Sequence, residues 1–265
     1  TEKDLRDENV RLQRQLTELG EGETAERARL EERIQRLNDQ IGQHEEATGS
    51  SIAERDEGAI WALVETRDGR RSVLCTAFAV RNDILATSAH CVGAVERSMG
   101  RGDTVRAVVN HGASPPLVIR QMYRHPNYDD DLPVSPDVGL VRIEGTASQQ
   151  VRVATMSELS GLSAGDDVFV LGFPSVLVGE GAPVAGITAG VVGRVTAFDG
   201  TAAPPVRRHL VSHSAFSDEG TAGSPIFDSE GRVVAINAGN MRARRRVTDT
   251  NTRVTPPGCT TPGQR

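Results

Sequence analysis

The 265-residue chain predicts an all-β domain, a barrel or a sandwich, behind an N-terminal α-helical extension of coiled-coil type. Three observations carry this reading. From about residue 60, short apolar segments recur at near-regular spacing, separated by turn signals such as Asp68-Gly69, Asn82-Asp83 and Glu230-Gly231. Over residues 1–45 the apolar positions follow a helical repeat instead. Aromatic residues make up only 3% of the chain, so the core must come from Val, Ile, Leu and Ala, which suits short β-branched strands.

In the arm, Leu5, Leu12 and Leu19 stand seven apart with Leu16 between them, and Leu30, Ile34, Leu37 and Ile41 follow at spacings of four and three. The step from Leu19 to Leu30 is a heptad plus four, so the seam either stutters or breaks at Gly20 and Gly22, with Thr24 capping a second helix. A helical hairpin and a continuous stalk both satisfy this pattern. So narrow an apolar stripe cannot form a core alone, which makes residues 1–45 an oligomerisation or partner-helix arm, or a helix packed on its own domain. Residues 46–57, with Gly49, Ser50 and Ser51 among charges, read as a linker, and residues 247–265, rich in Thr and Pro, as a flexible tail.

Between them, residues 58–246 form the β domain. Strands are expected around Ile60–Val64, Ser72–Val80, Ile84–Thr87, Val105–Val109, Leu117–Tyr123 and Val138–Ile143. More are expected around Asp167–Leu171, Gly190–Ala197, His209–Ser212, Ser224–Phe227 and Val233–Asn237.

Charge excludes some functions. Residues 1–50 carry 13 acidic and 8 basic side chains, and the cluster Arg242, Arg244, Arg245 and Arg246 lacks aromatic interleaving, so it reads as a solvated rim and not a nucleic-acid reader. No stretch reaches the roughly 18 apolar residues of a membrane span, and no signal-peptide core is present. The chain begins at Thr1, so a processed or truncated form is expected, with any export signal or membrane anchor upstream.

Three motifs bear chemistry. His90 lies in Thr87-Ser88-Ala89-His90-Cys91 after an apolar strand, with Cys75 fifteen residues before it. Asp137 heads the apolar run Asp137-Val138-Gly139-Leu140-Val141, whereas Asp129, Asp130 and Asp131 lie in polar loop sequence with no calcium-ligand spacing. Gly220-Thr221-Ala222-Gly223-Ser224-Pro225 is a glycine-flanked loop needing unusual backbone angles.

Together these motifs resemble the chymotrypsin (trypsin-like) family of serine proteases, in which residue 222 would be Ser. The resemblance implies a double β-barrel, with His90 as base, Asp137 as its orienting carboxylate and position 222 as nucleophile, in the chain order typical of that family. It further implies an oxyanion hole from the N–H groups of Gly220 and residue 222, and a disulfide between Cys75 and Cys91. Ala222 lacks the hydroxyl that acyl transfer needs, so the chain is expected to be either an inactive Ser-to-Ala form of an endopeptidase or a natural pseudoprotease that binds peptides or regulates.

Thr221 stands where proteases activated by a freed N-terminus carry Asp, so zymogen cleavage is not expected. Residues 231–239, with Asn237, resemble the bacterial HtrA and glutamyl-endopeptidase branch, although the resemblance covers only about residues 58–246 and not the PDZ domain of HtrA proteases. It implies that Phe216, Ser217 and Asn237 border the pocket for the residue before the scissile bond, of small or medium apolar type, with Asp218 and Glu219 as the case for a basic one. Ala238 and Gly239 would pair with a protein or peptide substrate as an added strand. No metal or cofactor is called for. A disulfide would place the protein in the periplasm or outside the cell, with a cytoplasmic dithiol as the alternative and Cys259 left over.

Overall fold

A computed structural model describes residues 2–18, 24–44, 48–132, 134–174 and 181–239. Each expected strand is present, with its ends moved by a few residues. The first six are β1 (Ile60–Arg67), β2 (Arg70–Arg81), β3 (Ile84–Thr87), β4 (Thr104–Val109), β5 (Leu117–Arg124) and β6 (Gly139–Glu144). They close into an antiparallel barrel in the order β1-β2-β3-β6-β5-β4. Asp68 and Gly69, both at positive φ (49° and 75°), make the two-residue turn that starts it. Such a turn matches the right-handed twist of a hairpin, and Asp-Gly adopts it at little cost. In β6 buried and exposed residues alternate along the strand, so that Val141 and Ile143 meet Trp61, Leu63, Leu85 and Val105 inside the barrel.

The second set, β7 (Asp167–Gly172), β8 (Gly186–Thr196), β9 (Leu210–His213), β10 (Pro225–Asp228) and β11 (Val233–Ile236), forms a curled half-barrel sheet in the order β11-β10-β7-β8-β9. The architecture is a chymotrypsin-like double β-barrel. The scarce aromatics are concentrated where the halves meet. Phe78 of the barrel lies with Phe173 and Phe227 of the second half, all 2% exposed or less, among Ile60, Ala62 and Leu171. Burying side chains of this size contributes on the order of 2 kcal/mol each, so the crevice between the halves rests on an apolar joint.

The linker expectation is corrected. Residues Gly49–Asp56 form a helix, α3, closed by a capping box: the Ser51 N–H donates to Thr48 Oγ1 at 3.2 Å and the Thr48 N–H to Ser51 Oγ at 2.9 Å. The Gly and Ser residues that looked like linker composition are a helix start. Ile52 of α3 is fully buried in the joint, and Arg55 donates to the Gly231 carbonyl at 2.8 Å. The β domain thus takes in α3 before β1.

The arm consists of α1 (Glu2–Glu18) and α2 (Thr24–His44), which lie against each other. Arg33 pairs with Glu8, 25 positions away, at 2.9 Å. In one continuous helix those residues would be about 37 Å apart, so of the two alternatives the described residues form the hairpin. Leu12 and Leu37 are buried in its seam. Leu19, Gly20, Gly22, the tail with Cys259 and the cluster Arg242–Arg246 lie outside the described residues. No described helix is long and apolar enough to cross a membrane.

Candidate functional site

β3 and β6 are neighbours in the barrel, with Thr87 opposite Gly139. The residues just after β3 and just before β6 are therefore forced together. Ser88 caps the helix α4 (Ala89–Gly100), and His90 is its second residue. Asp137 accepts two bonds from His90: from the backbone N–H to Oδ1 at 2.9 Å and from Nδ1 to Oδ2 at 2.7 Å. An ionised carboxylate only accepts, so Nδ1 carries the proton and Nε2 the lone pair. The Asp137 side chain is 6% exposed and that of His90 27%, so the carboxylate is sheltered while the imidazole reaches the surface. Gly139 makes this approach feasible, since a Cβ there would lie 2.8 Å from the Ser88 carbonyl oxygen and 2.6 Å from Val92.

The loop 217–224 comes from the other half of the molecule and is pinned to the barrel. The Thr76 N–H donates to the Ala222 carbonyl at 2.9 Å. The Thr76 hydroxyl donates to the Gly220 carbonyl at 2.7 Å and accepts the Phe173 N–H at 3.0 Å. Gly220 and Gly223 take positive φ (88° and 85°), and a Cβ on Gly223 would stand 2.2 Å from both Thr76 O and Thr87 Oγ1. Among the described residues, the N–H groups of Gly220 and Ala222 have no acceptor. Thr76 escaped the sequence reading, and its one signal is a hydroxyl in an otherwise apolar stretch of β2.

Cys75 and Cys91 are joined by a disulfide with Cα atoms 5.9 Å apart. Cys91 Sγ lies 3.7 Å from His90 Nε2 and 3.6 Å from the Ala222 carbonyl oxygen, so the imidazole and residue 222 border the same sulfur. Cys75, His90 and Cys91 are the one close group of metal-ligating residue types among the described residues, and bridged sulfurs offer no thiolate to a metal. Ser224 is fully buried, and a Cβ on Gly172 would fall 1.9 Å from its Oγ. It is walled off from the surface that residue 222 reaches.

Of the residues expected at the pocket, Asn237 is 1% exposed. Its Nδ2 donates to Ser217 Oγ and to the Thr221 carbonyl, each at 3.0 Å, and its Oδ1 accepts the Gly239 N–H at 3.2 Å. Its backbone carbonyl accepts the Gly223 N–H at 2.7 Å. Phe216 is 59% exposed, and its carbonyl accepts a bond from Thr188 Oγ1. Asp218 is folded into a turn on Thr221, with its Oδ1 accepting the Glu219 N–H, while Glu219 is exposed. Ala238 is exposed and follows β11, an edge strand among the described residues.

One residue here was missed altogether. His213, the last residue of β9, is partly buried, with its Nδ1 shielded and without a hydrogen-bond partner. Burial pushes its pKa below the ordinary histidine value, and polar contact with the Asn237 side chain acts in the opposite sense. A single His at the end of a short strand gave no sequence signal.

No curated protein matches the chain. The solved structure of Deg5 is similar at 16% identity, covering 72% of this chain and 83% of that one, with a TM-score of 0.50, and at that identity it speaks for the fold. Others are the HtrA-type protease AlgW with tripeptide (15%, 72% and 54%, TM-score 0.49) and Rv3671c from M. tuberculosis H37Rv, an inactive serine-to-alanine mutant (21%, 70% and 79%, TM-score 0.47). The model of the trypsin-like peptidase domain matches residues 75–236, from the first bridged cysteine to the end of β11, and so takes in His90, Asp137 and residue 222. The chain belongs to the trypsin-like peptidase family.

Proposed function

We propose that this fold is a serine endopeptidase in which position 222 is the nucleophile site, and that with Ala222 it holds peptides without cutting them. The observation that supports this best is the His90–Asp137 pair, closed by a 2.7 Å bond, with the imidazole bordering the same sulfur as residue 222. With Ser at 222, Nε2 of His90 takes the hydroxyl proton as oxygen attacks the scissile carbonyl, and Asp137 stabilises the imidazolium that forms. The N–H groups of Gly220 and residue 222 donate to the oxyanion, and His90 returns the proton to the leaving amine. Water then hydrolyses the acyl-enzyme by the same steps. Removing the hydroxyl costs on the order of a millionfold in rate and leaves binding in place.

A peptide adds as a strand alongside Ala238 and Gly239, next to the edge strand β11. The pocket takes a small or medium apolar side chain, because Asn237 and Ser217 fill its polar side against each other and Asp218 is spent on the turn. The disulfide suits an oxidising compartment, the periplasm or the cell exterior. The hairpin arm serves as an oligomerisation or partner-docking element. A second reading, a natural pseudoprotease with a peptide-binding or regulatory role, is favoured by Ala222 itself, whereas the intact His90–Asp137 pair favours the enzyme. Ala222→Ser incubated with casein separates them: cleavage products are expected, and a folded variant that releases none would overturn the peptidase reading.

A further inference from the structure

Thr76, on β2 of the closed barrel, engages all of its polar groups. Its N–H donates to the Ala222 carbonyl at 2.9 Å, and its carbonyl accepts the Thr87 hydroxyl at 2.7 Å. Its own hydroxyl lies 3.0 Å from the Phe173 nitrogen, just after β7, and 2.7 Å from the Gly220 carbonyl oxygen. A backbone N–H only donates and a carbonyl oxygen only accepts, so the single hydroxyl proton is committed to Gly220. The residue is fully buried, and Gly172 leaves the hydroxyl its room, since a Cβ there would stand 2.8 Å from Thr76 Oγ1.

These bonds bear on the loop one peptide plane at a time. The plane joining residues 220 and 221 is held at both ends, its carbonyl by the Thr76 hydroxyl at 2.7 Å and its N–H by the Asp218 carbonyl at 3.1 Å. The plane joining residues 222 and 223 is held by the Thr76 N–H and by the Asn237 carbonyl. The Ala222 N–H belongs to the plane between them, whose carbonyl accepts from Asn237 Nδ2. The Gly220 N–H lies outside this set, in the plane joining residues 219 and 220, with Gly220 at φ 88° as the joint. Glycine has no Cβ to limit rotation at that joint, so the direction of its N–H depends on how firmly the neighbouring plane is anchored.

We propose that Thr76 is the positioning residue of the oxyanion site: its hydroxyl, by holding the Gly220 carbonyl, aims the Gly220 N–H at the place where the oxyanion forms. The proposal deepens the reading of position 222 as the nucleophile site and rests on it. Thr76 touches no reacting atom, and its effect passes through one peptide plane. Ser can take its place because it keeps the hydroxyl. Val, of the same shape, leaves the Gly220 carbonyl without its donor, while its backbone N–H still holds the Ala222 carbonyl.

The test starts from the Ala222 chain as it stands. Acetyl-trialanine with a free carboxylate is titrated in and followed by NMR; a carboxylate oxygen takes the oxyanion's place, so the Gly220 and Ala222 amides should both shift downfield. In Thr76→Val the Gly220 shift should be lost and the Ala222 shift kept, and Thr76→Ser should restore both; Thr76→Ala serves if the Val form does not fold. A Gly220 shift that survives without the hydroxyl overturns the proposal. So does the loss of both shifts together, which a merely loosened loop would give, and so does a carboxylate that moves neither amide in the parent chain. In the Ala222→Ser background, Thr76→Val should lower kcat about a hundredfold with KM changed less than about twofold, the mark of a misplaced oxyanion donor. An Ala222→Ser form that cleaves nothing would sink the peptidase reading, and the amide shifts, which need no catalysis, would still decide the role of Thr76.

Discussion

The closed barrel β1–β6 and the open sheet β7–β11 each supply part of the site, and they hold it by different means. His90 and Asp137 sit on adjacent antiparallel strand ends of a barrel with no free edge, so their 2.7 Å contact follows from the pairing of Thr87 with Gly139. The loop bearing residue 222 hangs from a sheet that is open among the described residues, and polar contacts to Thr76 and Asn237 hold it. One part is fixed by topology and the other by hydrogen bonds. Changes in the barrel should therefore alter the chemistry with the architecture kept, and changes around the loop should alter both.

The largest effect should come from the carboxylate. In an Ala222→Ser background, Asp137→Asn can still accept the His90 backbone N–H but no longer fixes the tautomer, and kcat on a peptide substrate should fall about ten-thousandfold. Circular dichroism should be unchanged if the barrel sets the geometry, and a loss of fold would break the comparison. Next comes Thr76→Val, which removes the hydroxyl that joins the Gly220 carbonyl to the Phe173 N–H inside the molecule. Leaving buried groups unpaired costs about 1–3 kcal/mol, so urea unfolding should shift to lower concentration, and activity in the Ser background should fall as well. A stable but slow variant would place Thr76 on the side of chemistry alone.

The smallest effect is the pH dependence of stability from His213. Burial lowers the folded pKa, with Asn237 opposing, so the unfolded chain takes the proton first. The contribution is fully present above the unfolded value of about 6.5 and is lost as pH falls through that value towards the folded pKa. Chemical unfolding at a series of pH values should show an acid-side loss that His213→Gln reduces. An equal loss in both forms would remove His213 from the account.

The sequence made the strands legible because alternation and turn residues act locally, as at Asp68-Gly69, whose positive φ values are met in the structure. It did not reveal α3, because Gly49, Ser50 and Ser51 have linker composition and only the Thr48–Ser51 cap and buried Ile52 mark a docked helix. His90, Asp137 and residue 222 are legible through family motifs, since no periodicity brings a residue 47 positions from His90 onto its ring, or one 132 positions away to the sulfur that the ring borders. Thr76 went unseen for a related reason: it works through partners far along the chain, and such contacts exist only once the two halves have packed.

The most direct test of the central claim is the mass of the Ala222→Ser protein after treatment with a fluorophosphonate, alongside Ala222→Ser with His90→Ala. The account predicts one adduct, on residue 222, that disappears when His90 is removed. No adduct on the folded Ser form, or an adduct that persists without His90, would contradict it.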